Sequence, residues 1–132
     1  MKILITIGHP AHIHYFKNAA NNLTKNGYQV LFFIRDKECI VDLAKSLNID
    51  YVCYGKGGGN MLSKLIKIPI IDLRLLKIAS LFKPDIFLSF GSPYAAHVAK
   101  ITGKPHIAFD DTEHAKYEHL LYRPFTDVII SP

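Results

Sequence analysis

Short apolar runs alternate with longer amphipathic stretches along the whole chain. Residues 2–8 (KILITIG), 28–34 (YQVLFFI), 50–54 (DYVCY), 85–90 (DIFLSF), 105–109 (PHIAF) and 127–130 (DVII) are rich in β-branched and aromatic side chains. They are apolar at successive positions, as strands covered on both faces require. Residues 12–26, 36–48, 61–83, 93–102 and 112–125 carry helical spacing between them. Gly27 and Gly103 follow two of these helices, and Pro84 and Pro105 block helix continuation before the next strand. Strand–helix repetition of this kind predicts right-handed crossovers and one α/β domain: a Rossmann-like parallel sheet with helices on both faces, in the order 3-2-1-4-5-6. Ligands bind such sheets at the carboxyl ends of the strands, where the order reverses. The loops after the first, third, fourth and fifth strands are therefore the ones to read for chemistry.

Composition narrows the class. The chain has 132 residues, 49% hydrophobic and 20% charged, which fits one ordinary globular domain and leaves no room for two. Cys39 and Cys53 show no metal or disulfide spacing, so a reducing cytoplasm is expected. Residues 3–7 are too short an apolar run for a signal peptide. Residues 61–82 carry Lys64, Lys67, Asp72, Arg74 and Lys77 and should not cross a bilayer. The net charge of +5 attracts phosphates or anionic lipid, and also serves solubility.

The first loop reads Gly8-His9-Pro10-Ala11-His12-Ile13-His14. It is no dinucleotide fingerprint, but the helix that follows offers free N–H groups and a positive dipole end to an anion. Residues 12 and 14 project about 200° apart on a helix, so the histidines are expected to contact a polar ligand or to cap and pack, and no metal is expected. The third loop, Gly55-Lys56-Gly57-Gly58-Gly59-Asn60, lacks the ending of a P-loop. It reads either as a phosphate cradle, with Lys56, Gly57 and Gly58 as contacts, or as a flexible hinge. Ser92 and Pro93 after the fourth strand start a helix and aim backbone N–H groups, with Gly91, at the crevice. The fifth strand runs into Asp110-Asp111-Thr112-Glu113-His114. Adjacent acids repel, and one of them could serve as a general base toward a hydroxyl. Helix capping by Asp111 or Thr112 explains part of the cluster without function.

In residues 61–83, Leu62, Leu65, Ile66, Leu73 and Leu76 share one helical face and are expected to pack on the sheet. The other face mixes Lys64, Lys67, Arg74 and Lys77 with Ile70, Ile71, Ile78 and Leu81, a pattern suited to peripheral contact with an anionic membrane surface. Two alternatives compete: Pro69 breaks the segment and turns Ile70 and Ile71 inward, or the patch meets a partner domain.

Four motifs in order carry a resemblance over essentially the whole chain. They are His12-Ile13-His14-Tyr15-Phe16, the glycine loop 55–59, Pro84-Asp85 through Gly91-Ser92-Pro93, and Asp111-Thr112-Glu113-His114-Ala115. The pattern resembles the N-terminal domain of GT-B proteins, within a family of glycosyltransferase-like proteins of archaea and bacteria. It is similar to the non-hydrolysing UDP-N-acetylglucosamine 2-epimerases and to the N-acetylglucosaminyltransferase that forms lipid II. Their fifth strands end in P-x-x-H-V-E-A-G and P-x-x-x-H-E-Q-N, and counting five residues from Pro105 places Asp110 at the acidic position of both. Ser92-Pro93 replaces an epimerase Asp-Thr and so removes a carboxylate used there.

The resemblance implies an acceptor-binding domain spanning residues 1–132, with Asp110 or Glu113 as candidate base. Gly8, His9, His12, His14, Lys56, Gly57, Gly58, Gly91, Ser92, Asp111, Thr112 and His114 would frame the substrate cleft. The implied partners are a sugar or lipid-linked acceptor and a C-terminal donor-binding domain or partner chain, with no cofactor and no nucleic acid. The expected location is cytoplasmic, at the inner face of the membrane where the membrane contact holds. Half of an epimerase and a non-enzymatic binding or scaffolding domain are the alternatives.

Overall fold

The computed structural model describes residues 1–37, 39–56, 60–110 and 116–131. The elements run β1 (Lys2–Ile7), α1 (Pro10–Lys25), β2 (Gln29–Asp36), α2 (Ile40–Ser46), β3 (Tyr51–Lys56), α3 (Met61–Phe82), β4 (Ile86–Phe90), α4 (Pro93–Thr102), β5 (His106–Phe109), α5 (Lys116–Tyr122), a 3₁₀ turn Arg123–Phe125 and β6 (Val128–Ile130). All neighbouring strands are parallel, in the order β3-β2-β1-β4-β5-β6. Ile5 lies at the centre, between Phe32 and Leu88.

Alternate residues of each strand feed the two layers. Ile3, Ile5, Ile7, Phe32 and Ile34 pack against Ile13, Phe16 and Ala20 of α1 and against Ile40 and Ala44 of α2. Leu4, Phe33 and Phe87 face the other way, onto Leu75 and Ala79 of α3 and Ala95, Val98 and Ala99 of α4. Two aspartates set the register of late strands on early ones. The Asp85 carboxylate accepts from Lys2 N–H at 2.8 Å, and the Asp127 carboxylate accepts from His106 N–H at 2.9 Å. Each aspartate also donates its own N–H back to the carbonyl of the same residue. The backbone N–H and C=O of Lys2 and His106 and the N–H of both aspartates are thereby satisfied.

Boundaries differ from the sequence reading where tertiary pairing prevails. β2 extends to Asp36, which pairs with Lys56 across a bulge between Ile34 and Asp36, so α2 starts only at Ile40. α1 starts at Pro10 because His9 caps it.

The face of α3 requires a correction. Leu62, Leu65, Ile66 and Leu73, expected on the sheet, are exposed. Leu76 packs on the core as expected, but beside it the helix buries Leu75 and Ala79 and rests Ile71, Ile78 and Phe82 on the same core. The helix is apolar on nearly every side, so periodicity alone does not choose a face. Two things choose it: small Ala79, and Asp72, which meets His97 Nδ1 of α4 at 2.8 Å. Pro69 lies within the helix without ending it, and Ile71 turns inward while Ile70 stays exposed. His97 Nε2 contacts the Leu121 carbonyl at 3.0 Å, and since a carbonyl only accepts, that nitrogen carries the proton. One imidazole thus joins α3, α4 and α5.

Candidate functional site

The carboxyl ends of β1, β4 and β5 carry the expected residues. At β1, His9 has extended backbone and its Nδ1 accepts from Ala11 N–H at 3.2 Å, which makes it the helix cap. His12 lies flat on Phe90, with ring centroids 4.2 Å apart and planes 10° apart. His9 and His12 are neighbours, at 5.8 Å between centroids. His14 leaves this group: it is exposed, and its Nδ1 accepts from Lys17 Nζ at 3.3 Å. A Cβ on Gly8 would meet nothing within 4 Å, so the turn there has open space beside it.

An aromatic floor continues from His12. Tyr15, 58% exposed, stands edge-on over Phe90 at 4.9 Å and tilted on Phe109 at 5.4 Å, with Phe16 behind both. Phe90 and Phe109 are the last residues of β4 and β5, so the ends of the two strands present ring faces. An aromatic cluster of this kind, with Tyr15 exposed, suits the apolar face of a sugar or a similar ring.

Asp110 follows Phe109 and is only 9% exposed at its side chain. Three groups converge on its Oδ2. Tyr122 O–H donates at 2.8 Å, His119 Nε2 lies at 2.8 Å, and Arg123 Nη2 lies at 3.7 Å. His119 Nε2 is out of line for a hydrogen bond despite its short distance, so that contact is electrostatic and counts when the imidazole is charged. Burial first, and then the hydrogen bond to Asp110, push the Tyr122 phenol up to about 12, so it remains a donor. Tyr122 also explains Gly91. At φ +55° a Cβ there would sit 3.1 Å from Tyr122 Cε1, so the turn after β4 can hold only glycine without moving the tyrosine.

Behind the crevice runs a chain of hydrogen bonds that the sequence reading missed. Ser92 N–H donates to Ser89 Oγ at 3.2 Å, and Ser89 Oγ meets His106 Nε2 at 2.8 Å. His106 Nδ1 meets Thr126 Oγ1 at 3.0 Å, and Thr126 Oγ1–H donates to the Tyr122 carbonyl at 2.8 Å. Thr126 has spent its hydrogen, so it accepts from His106 Nδ1–H, which leaves Nε2 to accept from Ser89 Oγ–H. The imidazole is therefore neutral, in agreement with burial lowering its pKa to about 4. The chain fixes the Gly91–Ser92 turn and the backbone of Tyr122 relative to each other. Ser92 Oγ completes the turn by capping α4 through Ala95 N–H at 3.4 Å.

The structure therefore brings His9, His12, Gly91, Ser92 and Asp110 to one end of the sheet and leaves His14 in solvent. Gly57, Gly58, Asp111, Thr112, Glu113 and His114 lie outside the described residues, and Lys56 is described only as the last backbone residue of β3. Tyr15 entered only as part of the His12–Phe16 motif, and His119, Tyr122 and His106 were not singled out from sequence. The only advance sign of His119 and Tyr122 was clustering of aromatic and histidine residues in the segment before β6. Among the described residues, no three His, Cys, Asp or Glu side chains group so as to hold a metal ion.

The six-stranded parallel sheet of this order, with helices on both sides, matches the Rossmann-like N-terminal half of a GT-B fold. The chain belongs to the protein family of unknown function DUF354, matched over residues 1–132. It is 29% identical, over all its length, to the uncharacterized protein MJ0665 of Methanocaldococcus jannaschii and spans 39% of that protein. Among solved structures it is similar to MurG of Acinetobacter baumannii (TM-score 0.78, 16% identity, 98% of this chain and 40% of that one). It is also similar to the UDP-GlcNAc 2-epimerase of Neisseria meningitidis, a structure bound to UDP-GlcNAc (0.75, 16%, 100% and 40%). A third is the glycosyltransferase SsfS6 of Streptomyces sp. SF2575 (0.72, 16%, 99% and 49%). The chain thus spans less than half the length of each.

Proposed function

We propose that this chain is the acceptor-side domain of a sugar-transferring enzyme, its nucleotide-sugar donor held by a further C-terminal domain or partner chain. The observation that carries the reading is the Asp110 carboxylate, recessed beside the aromatic floor at the end of β5 and oriented on one oxygen by Tyr122, His119 and Arg123. In this role Asp110 takes the proton of an acceptor hydroxyl while the anomeric carbon of the donor sugar bonds to that oxygen and breaks its bond to the nucleoside diphosphate, which leaves with the bonding electron pair, and the ring of the acceptor rests against Tyr15 and Phe90. Gly8, His9, His12, Gly91 and Ser92 border the same space. Transfer is preferred over epimerisation because Ser92-Pro93 supplies no carboxylate at the turn after β4.

Two substitutions test this in the complete protein. Asp110→Asn keeps an acceptor for Tyr122 and should lower turnover by about 10²–10⁴-fold. Tyr122→Phe loosens the same carboxylate without removing it, and should cost stability while sparing most activity. Full activity in Asp110→Asn would end the assignment.

A second reading concerns location, and the outer side of α3 supports it. Leu62, Leu65, Ile66, Ile70, Leu73 and Leu81 are 47% to 72% exposed. Leu62 to Leu73 recur at three and four residues and Leu81 follows two turns on, which lays them along one stripe, with Lys77 exposed in the gap and Lys67 exposed beside it. Such a face suits peripheral contact with an anionic membrane, the apolar side chains entering the headgroup layer and the cations meeting phosphates. No helix among the described residues is long and apolar enough to cross a membrane.

A further inference from the structure

The groups described around the Asp110 carboxylate come from the end of α5 and the turn after it. His119, Tyr122 and Arg123 all lie within two residues of Leu121. α5 has only seven residues, too few to be firm by itself, and the last carbonyls of any helix have no partner within it. Two of them are met from outside. The Tyr122 carbonyl accepts from Thr126 Oγ1–H at 2.8 Å, and the Leu121 carbonyl accepts from His97 Nε2–H at 3.0 Å. The His97 ring also stands edge-on to Phe125 of the turn, at 5.0 Å between centroids.

His97 is itself held from α3. Its Nδ1 lies 2.8 Å from Asp72 Oδ2, and a hydrogen must sit between them, because two bare acceptors that close repel. The ring cannot turn over without breaking this bond, so the Nε2–H stays aimed at α5. Asp72 Oδ1 is buried with no hydrogen-bond partner among the described residues, and burial pushes the Asp72 carboxyl up while His97 draws it down. Burying a carboxylate with one oxygen unmet costs stability, and a pair of apolar side chains would fill the same space without that cost. What the polar pair supplies is direction.

We propose that His97, held by Asp72, is the positioning residue of the Asp110 carboxylate: it fixes the end of α5 through the Leu121 carbonyl, and with it the Tyr122 hydroxyl, the His119 imidazole and the Arg123 guanidinium. The geometry stands by itself, and its catalytic consequence rests on the reading of Asp110 as a base.

The test is the Tyr122 phenol in the 132-residue chain, followed by its Cζ resonance and assigned from the spectrum of Tyr122→Phe. Burial first, and then the bond to Asp110, hold that phenol up at about 12, so at pH 10 the wild type should keep its proton. In His97→Leu the phenol should be about half ionised at pH 10, as one at the ordinary value of 10 is. His97→Gln should recover the wild-type signal, since its amide N–H can reach the Leu121 carbonyl. Asp72→Asn should also match the wild type, because its amide still donates to Nδ1. The double variant Asp72→Leu/His97→Leu puts apolar side chains in both places. It should keep its urea midpoint and still show the ionised phenol, which separates positioning from collapse. A phenol that keeps its proton at pH 10 in both His97→Leu and the double variant would overturn the inference, whatever happens to stability. Full activity in Asp110→Asn, by contrast, would remove Asp110 as base and leave its positioning by His97 as measured.

Discussion

At the scale of single residues, His106 shows how burial makes a side chain sensitive to acid. It is fully buried, and its neutral tautomer is required by Thr126 and Ser89. Its pKa in the folded chain is lowered to about 4 from an ordinary 6.5, so the unfolded chain binds the extra proton first. The stability contributed by the neutral ring is fully present above the unfolded value and is lost as pH falls toward the folded one. Roughly 3 kcal/mol should disappear between pH 7 and pH 4 on this account. Urea midpoints for the wild type should fall more steeply over that window than those of His106→Gln, and parallel slopes would refute the assignment. Little of this was legible beforehand. His106 sits in a strand sequence, and nothing local marks a partner seventeen residues back at Ser89 and another twenty ahead at Thr126. Asp110 was legible, because an acid at the end of a strand needs only the strand's position. Its supporters Tyr122 and His119 come from the following helix, where no spacing rule singles them out.

At the scale of elements, existence was easier to read than orientation. Five helices and six strands follow from apolar runs and glycine or proline punctuation, yet most of the sheet-facing set on α3 was misplaced: Leu62, Leu65, Ile66 and Leu73 are exposed, and only Leu76 packs as expected. A helix with apolar side chains on both sides leaves the choice to its neighbours, here the small Ala79 and the Asp72–His97 pair. The corrected face gives a sharper membrane test than charge reversal of Lys64 or Lys67. The chain should pellet with vesicles containing phosphatidylserine and not with neutral phosphatidylcholine. Ile66→Gln/Leu73→Gln should abolish pelleting at little cost in stability, since exposed substitutions usually stay within about 0.5 kcal/mol. Equal and negligible pelleting in every case would favour a protein partner on this stripe.

At the scale of the whole molecule, the order of the strands and the end that gathers polar groups were both legible, because right-handed crossovers leave few arrangements. The ligand was not, since one scaffold serves many chemistries. If the donor is held elsewhere, the 132-residue chain alone should neither turn over nor tightly bind a panel of UDP- and dTDP-sugars. Micromolar affinity for any of them, measured by calorimetry, would contradict that division of labour. The position of β1 bears on the timing of folding. It pairs with β2 soon after both are made, but its other edge waits for β4, and Lys2 meets Asp85 across 83 residues. As the chain leaves the ribosome, β1–β2–β3 with α1 and α2 can assemble while one side of β1 still exposes its backbone groups. Closing that side demands a long loop, so the slow step should be the arrival of β4, and a pause in synthesis before it would lengthen the interval in which a foreign strand could take its place.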